Sequence, residues 1–366
     1  MSVLEARDLV VEFRQRGGDT LRAVDSCSLR LEKGETLALV GESGSGKSTI
    51  VRALGQLTKP TSGAVLLDGA PAGRHGRGLR AYRKRVQLIF QDPFASLNPM
   101  HTIHYHLSRP LLRLHPGVSR ARMSEMVIEL LESVNLTPAS EVARKHPHEL
   151  SGGQRQRVAI ARALASAPDV LLADEPVSML DVSIRLEILN LLDRLKRERN
   201  LALLYVTHDL ATARHFSSRI MVMYRGQIVE YGPADDVILR PAHPYTQLLA
   251  AAAPNPGMPR AQLVEARRAR EAARAAARAA AEQVAGTAEG TGGTEAERRE
   301  ILLGDGCRFR LRCPHAMDVC ATAPPDALAT GSASVNGATP VAGAEPHHAL
   351  CWLHAPSAVE STTKAG

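Results

Sequence analysis

The residues with the clearest chemical meaning are Gly41, Glu42, Ser43, Gly44, Ser45, Gly46, Lys47, Ser48 and Thr49, which fit G-x-x-x-x-G-K-[ST] at every fixed position. The glycines let backbone N–H groups wrap phosphate oxygens, and Lys47 adds a point charge for the β- and γ-phosphates. The Ser48 hydroxyl is of the type that ligates Mg²⁺. Farther along, Asp174 and Glu175 follow an apolar run, and Gln91 and His208 each follow another. Together they read as phosphoryl-transfer chemistry on a nucleotide. Ser48, Gln91 and Asp174 would surround Mg²⁺, Glu175 would orient and polarise a water, and His208 would touch the γ-phosphate.

Such groups need a scaffold that delivers them to one edge. TLALV (36–40) is a short buried-type strand running into the glycine loop and then the helical IVRALGQL. VQLIF (86–90), DVLLA (169–173) and LALLYVT (201–207) have the same strand character and are flanked by charged helical sequence. Strands alternating with helices predict an α/β fold on a mostly parallel sheet, with ligands at the carboxyl ends of the strands. Residues 3–13 and 21–31 alternate polar with apolar and predict an antiparallel β portion. Between Asp92 and His148 the pattern turns helical, punctuated by prolines 93, 99, 110, 116, 138 and 147, which predicts a helical subdomain over about 92–165. Within it, "ELSGGQRQRVAIARALA" (149–165) places Ser151, Gly152 and Gly153 before a periodic helix. Two glycines there predict a bare, pliable helix start, an anion site dressed with the Gln154 carboxamide and nearby arginines.

The 366 residues suggest roughly two domains, and 44% hydrophobic with 23% charged residues is ordinary for a globular protein. A net charge of +7 suits nucleotide, nucleic acid or an anionic membrane face equally. The first residues lack a signal-peptide pattern and no apolar run reaches the 18 or so residues of a membrane span, so the expected location is the cytosol. After Pro259 comes an Ala/Arg/Glu run, AQLVEARRAREAARAAARAAAEQ, and then a low-complexity linker. The run reads as a solvated spacer helix, the alternative being a basic face for RNA or lipid. Cys307-x5-Cys313-x6-Cys320-x30-Cys351 then supplies four thiols, enough for a zinc site or a [4Fe–4S] cluster, with free structural thiols the alternative. Cys27, within a strand, reads as a small buried hydrophobe.

LSGGQ after a phosphate loop and before a strand ending in Asp-Glu resembles the signature of the ABC-transporter ATPases. The resemblance implies that Ser151, Gly152, Gly153 and Gln154 bind the γ-phosphate of ATP held by a second ATP-binding subunit, making this chain half of a two-site sandwich. It also implies that Asp181 in "SMLD" is the D-loop residue, with Met179 where the family usually has alanine, and that Phe13 stacks on adenine unless it is a core residue. "VQLIFQDPFASLNP", "EPVSMLDVSI" and "HPYTQLLAAAAPNP" narrow the resemblance to dipeptide/oligopeptide importer ATPases, a group that includes nickel importers; "GCRFRLRCPHAMDVC" resembles that group's C-terminal extension. The implied partners are two transmembrane permease subunits docking after Gln91, a second ATPase, like or unlike, and an extracytoplasmic solute-binding protein. The implied place is the cytoplasmic face of the cell membrane. No specific nucleic acid is expected; a soluble ATPase acting on ribosomes or DNA is the other class. The expected division is a nucleotide-binding domain (1–240), the HPYT segment (241–258), the Ala/Arg linker (259–303), the cysteine extension (304–355) and a disordered tail (356–366).

Overall fold

The computed structural model describes residues 2–14, 20–252, 306–322, 328–329 and 346–354. The Ala/Arg linker and the terminal tail lie outside the described residues. The chain forms two compact units, one of Met1–Ala38 with Lys47–Thr207 and one of Leu39–Gly46 with His208–Gly366.

The first unit opens with β1 (Ser2–Arg14) and β2 (Thr20–Glu32), then β3 (Thr36–Val40), which continues into the second unit, and helix α1 (Lys47–Leu54). There follow β4 (Ser62–Leu67), β5 (Ala70–Pro71), α2 (Gly76–Arg85) and β6 (Val86–Ile89). β2, β1, β4 and β5 make an antiparallel sheet in that order. Along β2, Cys27, Leu29 and Leu31 are buried in alternation with exposed Ser28, Arg30 and Glu32, which is how a half-wet sheet uses its period of two. Cys27 is the small apolar filler its strand position suggests, and burial pushes its thiol pKa up to about 12.

Five helices come next: α3 (Pro93–Ser96), α4 (Ile103–Leu114), α5 (Arg120–Ser133), α6 (Ala139–Arg144) and α7 (Gly152–Leu164). Thr102 caps α4 by accepting the Tyr105 N–H at 3.3 Å, and Ser119 caps α5 by accepting that of Arg122 at 3.2 Å. Each helix turns one apolar stripe inward: Ile103, Leu107 and Leu111 from α4, and Met123, Val127, Leu130 and Leu131 from α5.

The unit closes with β7 (Val170–Asp174), α8 (Val182–Arg199) and β8 (Ala202–Thr207). β6, β7 and β8 run parallel, with Ile89 opposite Ala173 and Asp174 opposite Val206. β7 and β8 are buried at every residue, as a parallel strand covered on both faces requires. Their carboxyl ends therefore share one edge of the sheet, and Asp174 stands on it.

In the second unit α9 (Leu210–Phe216) leads to a hairpin of β9 (Arg219–Tyr224) and β10 (Gln227–Pro233), turned by Arg225 and Gly226 at positive φ. Helices α10 (Ala234–Leu239) and α11 (Pro244–Ala252) follow. The tail returns as β11 (Leu328–Ala329) and β12 (His348–Ala349), β12 pairing with Tyr231 and Glu230 of β10. The hairpin and β4 are strands beyond those the apolar runs predict. No helix among the described residues is long and apolar enough to cross a membrane.

Truncating Leu204, fully buried in β8, leaves a cavity in the parallel sheet. Leu204→Ala is expected to cost about 2–5 kcal/mol, read as a lower urea midpoint at unchanged slope, and Leu204→Met under about 1.5 kcal/mol.

Candidate active site

In the first unit the predicted groups converge on the carboxyl edge of the parallel strands. Asp174 ends β7 with only 8% of its surface exposed, and burial pushes its carboxyl pKa up. The Ser48 hydroxyl, in the first turn of α1, donates to Asp174 Oδ1 at 3.1 Å and pulls the other way. Lys47 beside it is buried. The Gln91 amide donates to Glu175 Oε2 at 3.1 Å. Glu175 itself has φ +45, a conformation costly for a residue with a Cβ, and its N–H is fixed by the Val206 carbonyl at 3.1 Å. A strained acid held by the sheet on one side and by an amide on the other is pre-set in direction. Phe13 is 42% exposed on β1, so it is not the core residue that was its alternative reading.

The start of α7 differs from the bare end that two glycines suggest. Ser151 Oγ accepts the Gln154 N–H at 3.2 Å, and Gln154 Oε1 accepts the Ser151 N–H at 3.0 Å. This reciprocal capping box ties down the turn and engages both side chains. Gly153 is buried against α8: a Cβ there would stand 2.7 Å from Ile184 Cγ2, closer than atoms pack. Two of the nearby arginines serve structure. Arg157 donates to the Val134 carbonyl at 3.0 Å, and Arg162 to the Ser96 carbonyl. Asp181 sits exposed at the N-cap of α8, in a surface where Met179, Val182 and Leu186 are also exposed.

In the second unit lies the first part of the glycine loop, Gly41–Gly46, where Gly46 adopts φ +107, a conformation that favours glycine. Gly226 donates to the Ser45 carbonyl at 2.8 Å, and the Glu42 N–H is accepted by Tyr245 Oη at 2.9 Å. His208 is exposed, directly before Asp209, which caps α9 through the Ala211 and Thr212 N–H groups. The fully buried Glu230 carboxylate accepts the Ala242 and His243 N–H groups at 2.8 Å each and so fixes the start of the HPYT segment.

Cys307, Cys313, Cys320 and Cys351 line one pocket of this unit and are unbridged. Burial first, then the neighbouring thiols, raises Cys307 and Cys313, and Cys351 rises to about 11. Among the described residues no group of three or more His, Cys, Asp or Glu side chains is placed to hold a metal ion. Yet His243 Nε2, Arg310 Nη1 and Trp352 Nε1, from residues lining the same pocket, are buried nitrogens without a hydrogen-bond partner. Sequence reasoning had no role for Tyr245, Glu230 or His243; the HPYT wording was the one signal available.

A phosphate loop whose Ser48 meets a strand-end aspartate, followed by a serine-capped helix that opens on two glycines, defines a P-loop ATPase of the ABC type. Residues 24–178 match the ABC transporter family, and residues 229–320 match the oligopeptide/dipeptide transporter C-terminal region. The chain is 43% identical over 307 residues to the probable peptide ABC transporter ATP-binding protein y4tS of Sinorhizobium fredii, covering 83% of this chain and 79% of that one. It is 46% identical over 263 residues to the oligopeptide transport ATP-binding protein OppF of Escherichia coli, covering 69% and 78%. Among solved structures it resembles the dimeric bacterial ABC transporter cassette MJ0796, with TM-score 0.58, 32% identity, and 63% of this chain and 98% of that one covered. The same cassette bound to ADP and Pi, in a post-hydrolysis state, gives TM-score 0.57 with the same identity and coverage. The chain belongs to the ABC transporter ATP-binding proteins, in the group that carries the oligopeptide/dipeptide C-terminal region.

Gly153→Ala is expected to destabilise the first unit by about 1–3 kcal/mol through overpacking. Adding Ile184→Ala should recover part of that loss, and urea denaturation of both variants measures it.

Proposed function

We propose that the chain is the ATP-hydrolysing, energy-coupling subunit of a membrane importer for di- and oligopeptides. The observation that carries the chemistry is the 3.1 Å hydrogen bond from Ser48 to Asp174, beside a Glu175 oriented by Gln91. The cargo class follows from the C-terminal region and from the names of the relatives. Gly41 to Thr49 cradle the phosphates of ATP, with Lys47 on the β- and γ-phosphates. The hydroxyl, carboxylate and amide oxygens of Ser48, Asp174 and Gln91 are the hard donors that Mg²⁺ prefers and would hold it, and the ion would supply neutralisation of charge on the phosphates. Glu175 takes a proton from the attacking water, and His208 contacts the γ-phosphate. Phe13 stacks on adenine.

Ser151, Gly152, Gly153 and Gln154 complete the site of a second ATP-binding subunit, with Asp181 and the apolar surface at Met179 and Val182 at the seam. Binding two ATP molecules draws the subunits together and hydrolysis frees them. Two permeases take up that motion at the cytoplasmic face of the cell membrane, supplied by an extracytoplasmic solute-binding protein. The translocation path in this reading is built by the permeases.

The four tail thiols are proposed to hold a [4Fe–4S] cluster rather than zinc. Four thiols around one pocket are its donor set, and the three unpartnered nitrogens suit the sulfides of a cluster. Such a group supplies electron-transfer or structural chemistry when bound.

Glu175→Gln is expected to retain ATP binding and lose about 10²–10⁴-fold in hydrolysis rate, trapping a dimer on gel filtration. Wild-type turnover would remove Glu175 from the general-base role. Protein purified without oxygen should be brown, with iron and sulfide lost in a Cys313→Ser variant. Colourless protein with one zinc per chain would assign the thiols to zinc.

A further inference from the structure

Two side chains far from the glycine loop in sequence take hold of it within the second unit. Arg312 lies in the cysteine-bearing tail, 270 residues from Glu42, and sets both guanidinium Nη atoms on its carboxylate at 3.0 and 3.1 Å. Tyr245, in the HPYT segment and fully buried, places its hydroxyl 2.9 Å from the Glu42 nitrogen and accepts its N–H. Both are braced. Tyr245 packs with Tyr224 at 4.5 Å and with the buried Phe309 at 5.5 Å, and the Arg312 guanidinium lies 5.8 and 5.7 Å from the same two rings. Phe309 in turn lines the thiol pocket with Cys307 and Cys313.

The consequence is electrostatic as well as geometric. A phosphate loop works by aiming its N–H groups at oxygens, so the Glu42 N–H accepted by Tyr245 is a fixed point of the turn. The Glu42 carboxylate is an anion inside a loop built for anions, and Arg312 answers it with a two-pronged, charge-assisted contact.

We propose that Arg312 and Tyr245 are positioning residues for ATP binding, holding the glycine loop at Glu42 and offsetting its charge. Nucleotide affinity thereby depends on the cysteine-bearing tail. The proposal rests on the ATP-binding reading of the loop and is independent of the cargo.

The test is calorimetric titration of the full-length chain with MgATP, with the thermal midpoint measured alongside. Arg312→Ala is expected to weaken ATP about fivefold, the scale of a half-exposed ion pair, with the midpoint little changed. Removing the stranded carboxylate as well, in Arg312→Ala with Glu42→Gln, should restore most of the affinity, and Arg312→Lys should fall between. Tyr245→Phe should weaken ATP about threefold by leaving the Glu42 N–H without its acceptor. Unchanged affinity in Arg312→Ala and Tyr245→Phe, or a loss that Glu42→Gln does not relieve, overturns the proposal. Should Arg312→Ala fail to fold, Arg312→Lys and Tyr245→Phe decide it: wild-type affinity in both overturns it. If the wild-type chain binds no ATP, the reading of the loop itself falls instead.

Discussion

Everything in the first unit's site turns on a carboxylate placed where water is scarce. Burying an anion costs several kcal/mol unless partners answer it, and Asp174 has the Ser48 hydroxyl at 3.1 Å and the charge of Lys47 nearby. That arrangement demands that α1 begin opposite the end of β7, which in turn fixes the phase of the parallel strands. A one-residue slip of β7 against β8 would turn Asp174 away from the helix and set Ala173 or Glu175 in its place. The all-apolar strands are thus the means by which one charge is held still. Glu175, one residue later and in a left-handed conformation, inherits its direction from the same register.

Much of this was legible in the residues. The loop at 41–49, the Asp-Glu pair at the end of an apolar run and the carboxamide at Gln91 carry their chemistry in type and spacing, and strands buried on both faces read as unbroken apolar runs. What stayed hidden had a physical cause in each case. The β9–β10 hairpin turns through Arg225 and Gly226 at φ +44 and +89, and arginine in that conformation is too uncommon to mark a turn. The capping box at Ser151 was masked by its own glycines, which suggest a weak helix start, although a serine with a glutamine three residues on is the spacing that closes one. The contacts at Glu42 join residues hundreds of positions apart, beyond the reach of any local pattern.

The second unit uses polar burial differently. Glu230 is wholly enclosed, and it is satisfied by the backbone N–H groups of Ala242 and His243 and by the His347 ring nitrogen at 2.6 Å. One acid therefore pins both the HPYT segment and the returning tail to the same strand. The pinned His243 gives its Nδ1 to the Tyr245 N–H at 3.0 Å, so its other nitrogen has one direction to face, and burial holds its pKa down to about 4. The imidazole stays neutral across physiological pH, suited to donating a single N–H into the thiol pocket.

The chain order of these parts also sets a timetable. Glu42 leaves the ribosome long before Arg312, 270 residues later. At about 5–20 residues per second, the loop exists on the order of ten to fifty seconds before its last handle is made. During synthesis the phosphate loop is thus among the first functional pieces to appear and among the last to be braced. A nascent chain cut short before the tail would carry every nucleotide-contacting motif, with Tyr245 on the Glu42 N–H, and still lack the Arg312 half of the grip.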